Sequence, residues 1–194
     1  LDHEFLRALR ELTRSRGIAL ILDEIQCGYG RTGTFLAHEQ AGIEPDLLTV
    51  AKPMAGGLPM GAILATKAVA DTMQPGDHGT TFGGGPFLSH VALHVFERLS
   101  DPAMLAHVKS NGAWMRTALQ KMAERSAKVS AVRGIGYMWG IDIAEPAKDG
   151  VARALDAGLL ICSAGEHTLR LLPPLVMTRA DLERGLEMLA AVIG

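Results

Sequence analysis

The sequence predicts an α/β layered fold followed by a smaller α+β unit. Three observations carry that prediction: strand-length apolar runs, amphipathic helical stretches between and after them, and glycine-rich turns at the junctions. The chain has 194 residues, of which 48% are hydrophobic and 21% charged, enough apolar material for a packed core. Its formal charge of -2 comes from interspersed acids and bases. With no basic block, nucleic acid and anionic membrane surfaces are disfavoured as partners. Only two cysteines occur, Cys27 and Cys162, and neither has a metal-ligand spacing. A disulfide framework and a zinc site are therefore not expected, and the usage fits a reducing compartment. No run suits a bilayer span or a secretory leader, so the expectation is a cytoplasmic protein.

The elements follow in chain order. Phe5, Leu6, Leu9 and Leu12 recur at helical spacing from the first residues and stop at Gly17, which predicts a helix and a chain that starts in mid-architecture, as a fragment would. "GIALILDE" reads as a buried strand of a parallel sheet covered on both faces. "PDLLTVA", residues 45–51, and "MGAILATK", residues 60–67, read as a second and third such strand, with a short helical piece near "TFLAHEQAGI". After the glycine-rich "GDHGTTFGGGPF", Pro86 is placed to open a helix that buries Leu88, Val91, Ala92, Val95 and Leu99. Asp101 and Pro102 supply a cap and a first-turn proline for a long helix through Met104, Leu105, Val108, Met115, Leu119 and Met122. The domain boundary is expected here, giving residues 1–101 and 102–194. The second part holds strand-like "YMWGIDIA", a short helix near "DGVARALDAG", strand-like "LLICSA" and "TLRLLPP", and a helix opened by Thr178 and Asp181.

The stretch "ILDEIQCGYGRTGTF" contains Gly28-Tyr29-Gly30-Arg31-Thr32-Gly33, literally the G-x-G-x-x-G of dinucleotide-binding turns. A nicotinamide-dependent dehydrogenase is a remote alternative on this string. The fingerprint needs its glycines at the strand end, yet five residues intervene after Leu22, and the strand that follows ends without the acid that holds a ribose. Asp23 and Lys52 together are more informative, because each lies just past a strand's carboxyl end, where open sheets bind ligands. Alone, each is an ordinary cap or loop charge. As a pair they match what pyridoxal phosphate requires, an amine to condense with its aldehyde and an acid to keep the pyridine nitrogen protonated.

Three segments, "ILDEIQCGYGRTG", "DLLTVAKPMAGGLPMGA" and "HGTTFGGGP", in this order and at these separations, resemble the class III, fold type I, pyridoxal-phosphate-dependent aminotransferases. The acetylornithine and ornithine aminotransferase branch is the nearest in pattern. The resemblance implies that the chain holds the carboxyl-terminal part of the large cofactor domain followed by the small carboxyl-terminal domain. It implies that Asp23 pairs with the pyridine nitrogen, that Gln26 bonds the cofactor 3-hydroxyl, and that Lys52 is the Schiff-base lysine and acid/base catalyst. For that last role burial and the cofactor must lower the amine's affinity for a proton. Thr81 resembles the threonine that reaches the cofactor phosphate of a neighbouring active site, which implies a homodimer. Arg170, in "TLRLLPPL", resembles the arginine that grips a substrate α-carboxylate, a task suited to a planar guanidinium.

Gly85 and Pro53 depart from the family pattern, where asparagine and glycine are usual. Glu24 is expected to orient neighbours or cap the turn, with no catalytic duty. Arg31 is expected to shape the loop. The implied activity is ping-pong transfer of an amino group from N-acetylornithine to 2-oxoglutarate, in arginine biosynthesis. Ornithine, 4-aminobutyrate and succinyl-diaminopimelate are alternative donors, and an inactive fragment is the alternative from another class.

Overall fold

The structure, a computed structural model, describes residues 2–194. It resolves into two compact units, the first comprising the residues up to Gly30 with Thr34–Leu105, the second Arg31–Gly33 with Ala106–Gly194.

In the first unit, helix α1 (His3–Ser15) is capped by Asp2, whose carboxylate accepts from the Glu4 and Phe5 amides, and it ends where Gly17 takes φ 63°. Leu6 and Leu9 pack on a small core of Leu20, Ala41 and Ile43. Strands β1 (Ile21–Asp23), β2 (Leu47–Val50) and β3 (Ala62–Ala65) form one sheet in that order. Strand β2 runs parallel to β1 and antiparallel to β3. The third strand thus departs from the all-parallel expectation. The reason lies in its connection: residues 51–61 hold only turns, and a parallel crossover needs a helix-sized link. Double coverage is not found either, since Ile21, Ile63 and Leu64 are exposed. A second core joins Tyr29, Leu48 and Val50 to Leu22, Phe35, Met54 and Leu99.

The "TFLAHEQAGI" piece is a 3-10 turn, Ala37–Ala41, and a short helix α2 (Lys67–Ala70) follows β3. Pro86 opens α3 (Pro86–Leu99) at its first turn, and the predicted apolar stripe is the half-buried face. Arg10 grips Asp46 with two hydrogen bonds, of 2.6 and 3.0 Å, while the Leu20 amide donates to the same carboxylate at 2.8 Å. The Arg10 bonds, then the Leu20 amide, hold the Asp46 carboxyl below its ordinary range.

Helix α4 (Pro102–Arg125) begins with the Asp101 carboxylate accepting from the Ala103 amide at 2.7 Å. In the second unit β4 (Val129–Ile135), β5 (Met138–Ile143), β6 (Cys162–Ala164) and β7 (Thr168–Leu171) form an antiparallel sheet of order β4-β5-β7-β6. Alternation is clear along β5: Trp139, Ile141 and Ile143 are buried, Gly140 and Asp142 are not. With Leu169 and Leu171 they form the inner face, while α4 buries Val108, Met115 and Leu119 and α6 (Arg179–Ile193) buries Leu182, Leu189 and Ile193. Helix α5 (Ala147–Asp156) lies close to this sheet, so a Cβ on Gly150 would stand 3.1 Å from Leu169. Thr178 caps α6, its hydroxyl accepting from the Asp181 amide at 3.2 Å. No helix among the described residues is long and apolar enough to cross a membrane.

Two glycines allow a close backbone approach in this unit between separate stretches of chain. A Cβ on Gly112 of α4 would lie 2.6 Å from the Gly136 Cα, and one on Gly136, at φ 55°, would lie 2.5 Å from the Arg31 carbonyl oxygen. Gly112→Ala gains about 1 kcal/mol of helix propensity. Backbone-on-backbone overpacking, about 1–3 kcal/mol, cannot be relieved by a rotamer change and outweighs it. The variant is expected to unfold at lower temperature and lower urea than wild type. Asp46→Asn is expected to flatten the acid limb of the stability curve. A carboxyl held low stabilises fully above its unfolded value and loses that contribution as pH falls through the folded one, so the variant should be weaker at neutral pH and converge with wild type in acid.

Candidate active site

Asp23 is the last residue of β1 and stands opposite Thr49 of the parallel neighbour β2. Its Oδ1 accepts from the Thr49 hydroxyl at 3.1 Å and from the Ile25 amide at 3.0 Å, and its Oδ2 accepts from no described residue. Lys52 follows two residues after β2 ends, on the turn that Met54 closes by donating to the Ala51 carbonyl at 2.6 Å. The carboxylate and the amine therefore emerge from the same ends of two hydrogen-bonded parallel strands. Both side chains are exposed, so the burial expected at Lys52 is not supplied by the described residues. Gln26, on the turn after β1, and Thr81, in the loop before α3, are also exposed and make no side-chain hydrogen bond to the described residues.

Glu24 behaves in the opposite way to its neighbour. It is 3% exposed and accepts three N–H groups, from the Ala37 amide at 2.5 Å, the His38 amide at 2.8 Å and the His38 ring at 2.7 Å. The carboxylate thus caps the first turn of the 3-10 segment and closes residues 25–36 into a fixed loop. Sequence reasoning allowed it an orienting or capping role, and the structure supplies the partners. The glycines serve the same closure. The Gly28 amide donates to the Glu24 carbonyl at 3.0 Å, and Gly30, at φ 86°, donates to the Phe35 carbonyl at 3.1 Å. No α-helix begins at Gly33, so the loop lacks the helix N-terminus that a dinucleotide pyrophosphate requires.

Arg31 belongs to the second unit, where its guanidinium donates to the Pro173 carbonyl at 2.6 Å and the Tyr137 amide returns a bond to its carbonyl at 2.9 Å. Burial pushes that guanidinium below its ordinary value. Arg170, also of the second unit, sits on β7 between Gly140 of β5 and Cys162 of β6. Its Nε is buried without a partner, and its side chain forms no ion pair or hydrogen bond with any described residue. An uncommitted guanidinium beside a glycine is suited to a carboxylate from outside the chain. One contributor that sequence reasoning missed is Thr49, the polar residue within "LLTV", whose hydroxyl steadies Asp23.

The model of the family described as "Aminotransferase class-III" matches residues 1–193. The chain belongs to the class III aminotransferases. It is 43% identical over 187 residues to a mitochondrial acetylornithine aminotransferase of Alnus glutinosa, a match covering 96% of this chain and 42% of that protein. The crystal structure of N-acetylornithine aminotransferase from Stenotrophomonas maltophilia superposes with TM-score 0.85 at 36% identity, over 97% of this chain and 50% of that one. An ornithine aminotransferase of Toxoplasma gondii, described with partial occupancy of PLP at its active site, superposes with TM-score 0.92 at 29% identity, over 97% and 46% of the two chains. The chain thus spans about half the length of the relatives it matches. The fold is that of the fold type I pyridoxal-phosphate enzymes.

Glu24→Ala would strand the Ala37 and His38 amides, at a cost of about 1–3 kcal/mol for each donor that water does not reach. Hydrogen exchange at those two amides is expected to accelerate sharply in this variant while the α4 amides keep their protection. Unchanged exchange at Ala37 and His38 would show that the loop is held by something else.

Proposed function

We propose that the protein is a pyridoxal-phosphate-dependent transaminase that moves the terminal amino group of N-acetylornithine, or of ornithine, to 2-oxoglutarate. The observation that supports this most directly is the emergence of Asp23 and Lys52 from the same ends of β1 and β2. When bound, the cofactor supplies an aldehyde that takes up an amino group and a ring that absorbs an electron pair. Asp23 has one oxygen committed to Thr49 and Ile25 and one free, a carboxylate held in orientation and able to accept a proton-bearing ring nitrogen. That negative charge keeps the nitrogen protonated and the ring electron-poor. Lys52 Nζ would hold the aldehyde, and its amine would move the proton of the substrate carbon that bears the nitrogen.

Gln26 is proposed to hydrogen-bond the 3-hydroxyl and Thr81 to donate to the phosphate held by a second copy, which makes the working form a homodimer. Arg170 is proposed to grip a substrate α-carboxylate, that of 2-oxoglutarate, which adjoins the carbon that receives the nitrogen. In this reading residues 1–101 complete a cofactor domain, residues 102–194 form the small domain, and the enzyme works in the cytoplasm in arginine biosynthesis.

Borohydride reduction of the complete gene product with pyridoxal phosphate, followed by peptide mass mapping, is expected to find the label on Lys52. Label on Lys67 or Lys109, or none, would overturn the assignment. Asp23→Ala is expected to retain cofactor absorbance while losing nearly all turnover, and near-normal turnover would remove Asp23 from the reaction. Parallel assays with N-acetylornithine, ornithine, 4-aminobutyrate and succinyl-diaminopimelate decide the donor. Activity with none of them would remove this substrate class.

A further inference from the structure

The antiparallel sheet of the second unit has a polar face that the proposed reaction uses at only one point. Cross-strand partners share a face, so the register places Arg133, Gly140, Arg170 and Cys162 in one row across β4, β5, β7 and β6. The next row holds Asp142, Thr168 and Ala164. Two guanidinium groups thus flank Gly140, and a single carboxylate, Asp142, lies beside them on this face. Asp142 is a diagonal neighbour of Arg170, a separation of about 7–8 Å between backbones that a long side chain spans. A pair between them would be the default for two opposite charges so placed.

That pair does not form. Asp142 is engaged on both oxygens: Arg133 bonds Oδ2, and the Thr168 hydroxyl donates to Oδ1 at 2.5 Å. Arg133 also donates to the Thr168 hydroxyl at 3.1 Å, closing a three-membered network. The Arg133 hydrogen bond, followed by that of Thr168, holds the Asp142 carboxyl below its ordinary range. Arg170 is left with a buried Nε that has no partner. Gly140 adds space, for a Cβ there would meet Thr168 at 3.1 Å and Arg133 at 3.7 Å.

We propose that Arg133 and Thr168 are positioning residues that hold Asp142 away from Arg170, and so keep the Arg170 guanidinium open for a substrate carboxylate. The inference rests on the carboxylate-binding reading of Arg170 given above. The network sequesters the competing acid, and its contribution is to substrate affinity. Because the α-carboxylate of 2-oxoglutarate adjoins its reacting carbon, whereas in N-acetylornithine three carbons separate the two, release of Asp142 weakens 2-oxoglutarate and leaves the proton transfers at Lys52 untouched.

The test uses the complete gene product loaded with pyridoxal phosphate. In Arg133→Met, KM for 2-oxoglutarate is expected to rise by about tenfold or more, with kcat changed by less than about twofold. Binding of glutarate, which cannot react, should weaken in parallel by calorimetry. Arg133→Met/Asp142→Asn should restore both values, a rescue that mere loss of packing would not show. Arg133 is 59% exposed on an edge strand, so the fold should persist, and Arg133→Gln is the substitute if the Met variant is insoluble. Arg170→Ala separates the two readings. If it raises KM for 2-oxoglutarate while the Arg133 variants do not, or if the double variant fails to restore that KM, the sequestering role is overturned and the carboxylate grip stands. If Arg170→Ala leaves KM for 2-oxoglutarate unchanged, the carboxylate grip falls, and this inference with it.

Discussion

The buried carboxylate of Glu24 is the constraint on which the first unit's site depends. A carboxylate removed from water must find N–H donors, and this one finds three within a single turn of chain, at Ala37 and His38. Meeting that demand folds residues 25–36 back against the end of β1. Successive residues of an extended strand face opposite ways, so the adjacent acids Asp23 and Glu24 are divided between solvent and interior. One secures the loop. The other is left exposed at the edge where Lys52 also emerges, past the end of the neighbouring strand. The apolar run that ends in two acids is thus a strand whose last side chains serve two different surfaces.

The second unit divides its sheet in a comparable way. Trp139, Ile141, Leu169 and Leu171 fill the inner face, and the outer face carries arginines whose charge is apportioned by hydrogen bonding. Behind the inner face, Asn111 donates to the Tyr137 hydroxyl at 2.8 Å and accepts from Arg179 at 2.9 Å, so a buried polar pair ties α4 to β5's entry turn and to α6. Burial, the larger influence, pushes the Tyr137 hydroxyl above its ordinary value, which keeps it a neutral donor to the Met177 carbonyl. Inside this unit Asn111 and Tyr137 are paired in this way, whereas the buried Arg170 Nε is not.

Much of this was legible in the sequence because it is local. The Asp101 cap, Pro86 at the first turn of α3, the Thr178–Asp181 pair and the stop at Gly17 each involve residues within a few positions of one another. The alternation of "YMWGIDIA" likewise reports its own strand. What was missed depends on distant partners or on connections. Strand β4 carries Ser130, Arg133 and Gly134 at the sheet edge and lacks a clean apolar rhythm. The antiparallel sense of β3 is decided by the turns of residues 51–61 rather than by the composition of "AILA". Arg31 finds its acceptor at Pro173, 142 positions away, and no spacing in "GYGRTG" announces it. The placement of Asp23 and Lys52 at adjacent strand ends was legible because apolar runs mark where strands end, and the cross-strand bond from Thr49 was not, because register is set only when the strands meet.

The close approach at Gly136 has a consequence for how the polypeptide can be divided. Arg31–Gly33 are grouped with residues 106–194, so the second unit is assembled from two separated stretches and the backbone passes between units at three points. A piece cut after Leu105 would lack the short stitch against which Gly136 is packed, and the Tyr137 amide and Pro173 carbonyl would lose their partners. The smaller unit is therefore not separable by a single scission, and recombination or truncation schemes that treat it as one uninterrupted tail would remove part of its interior.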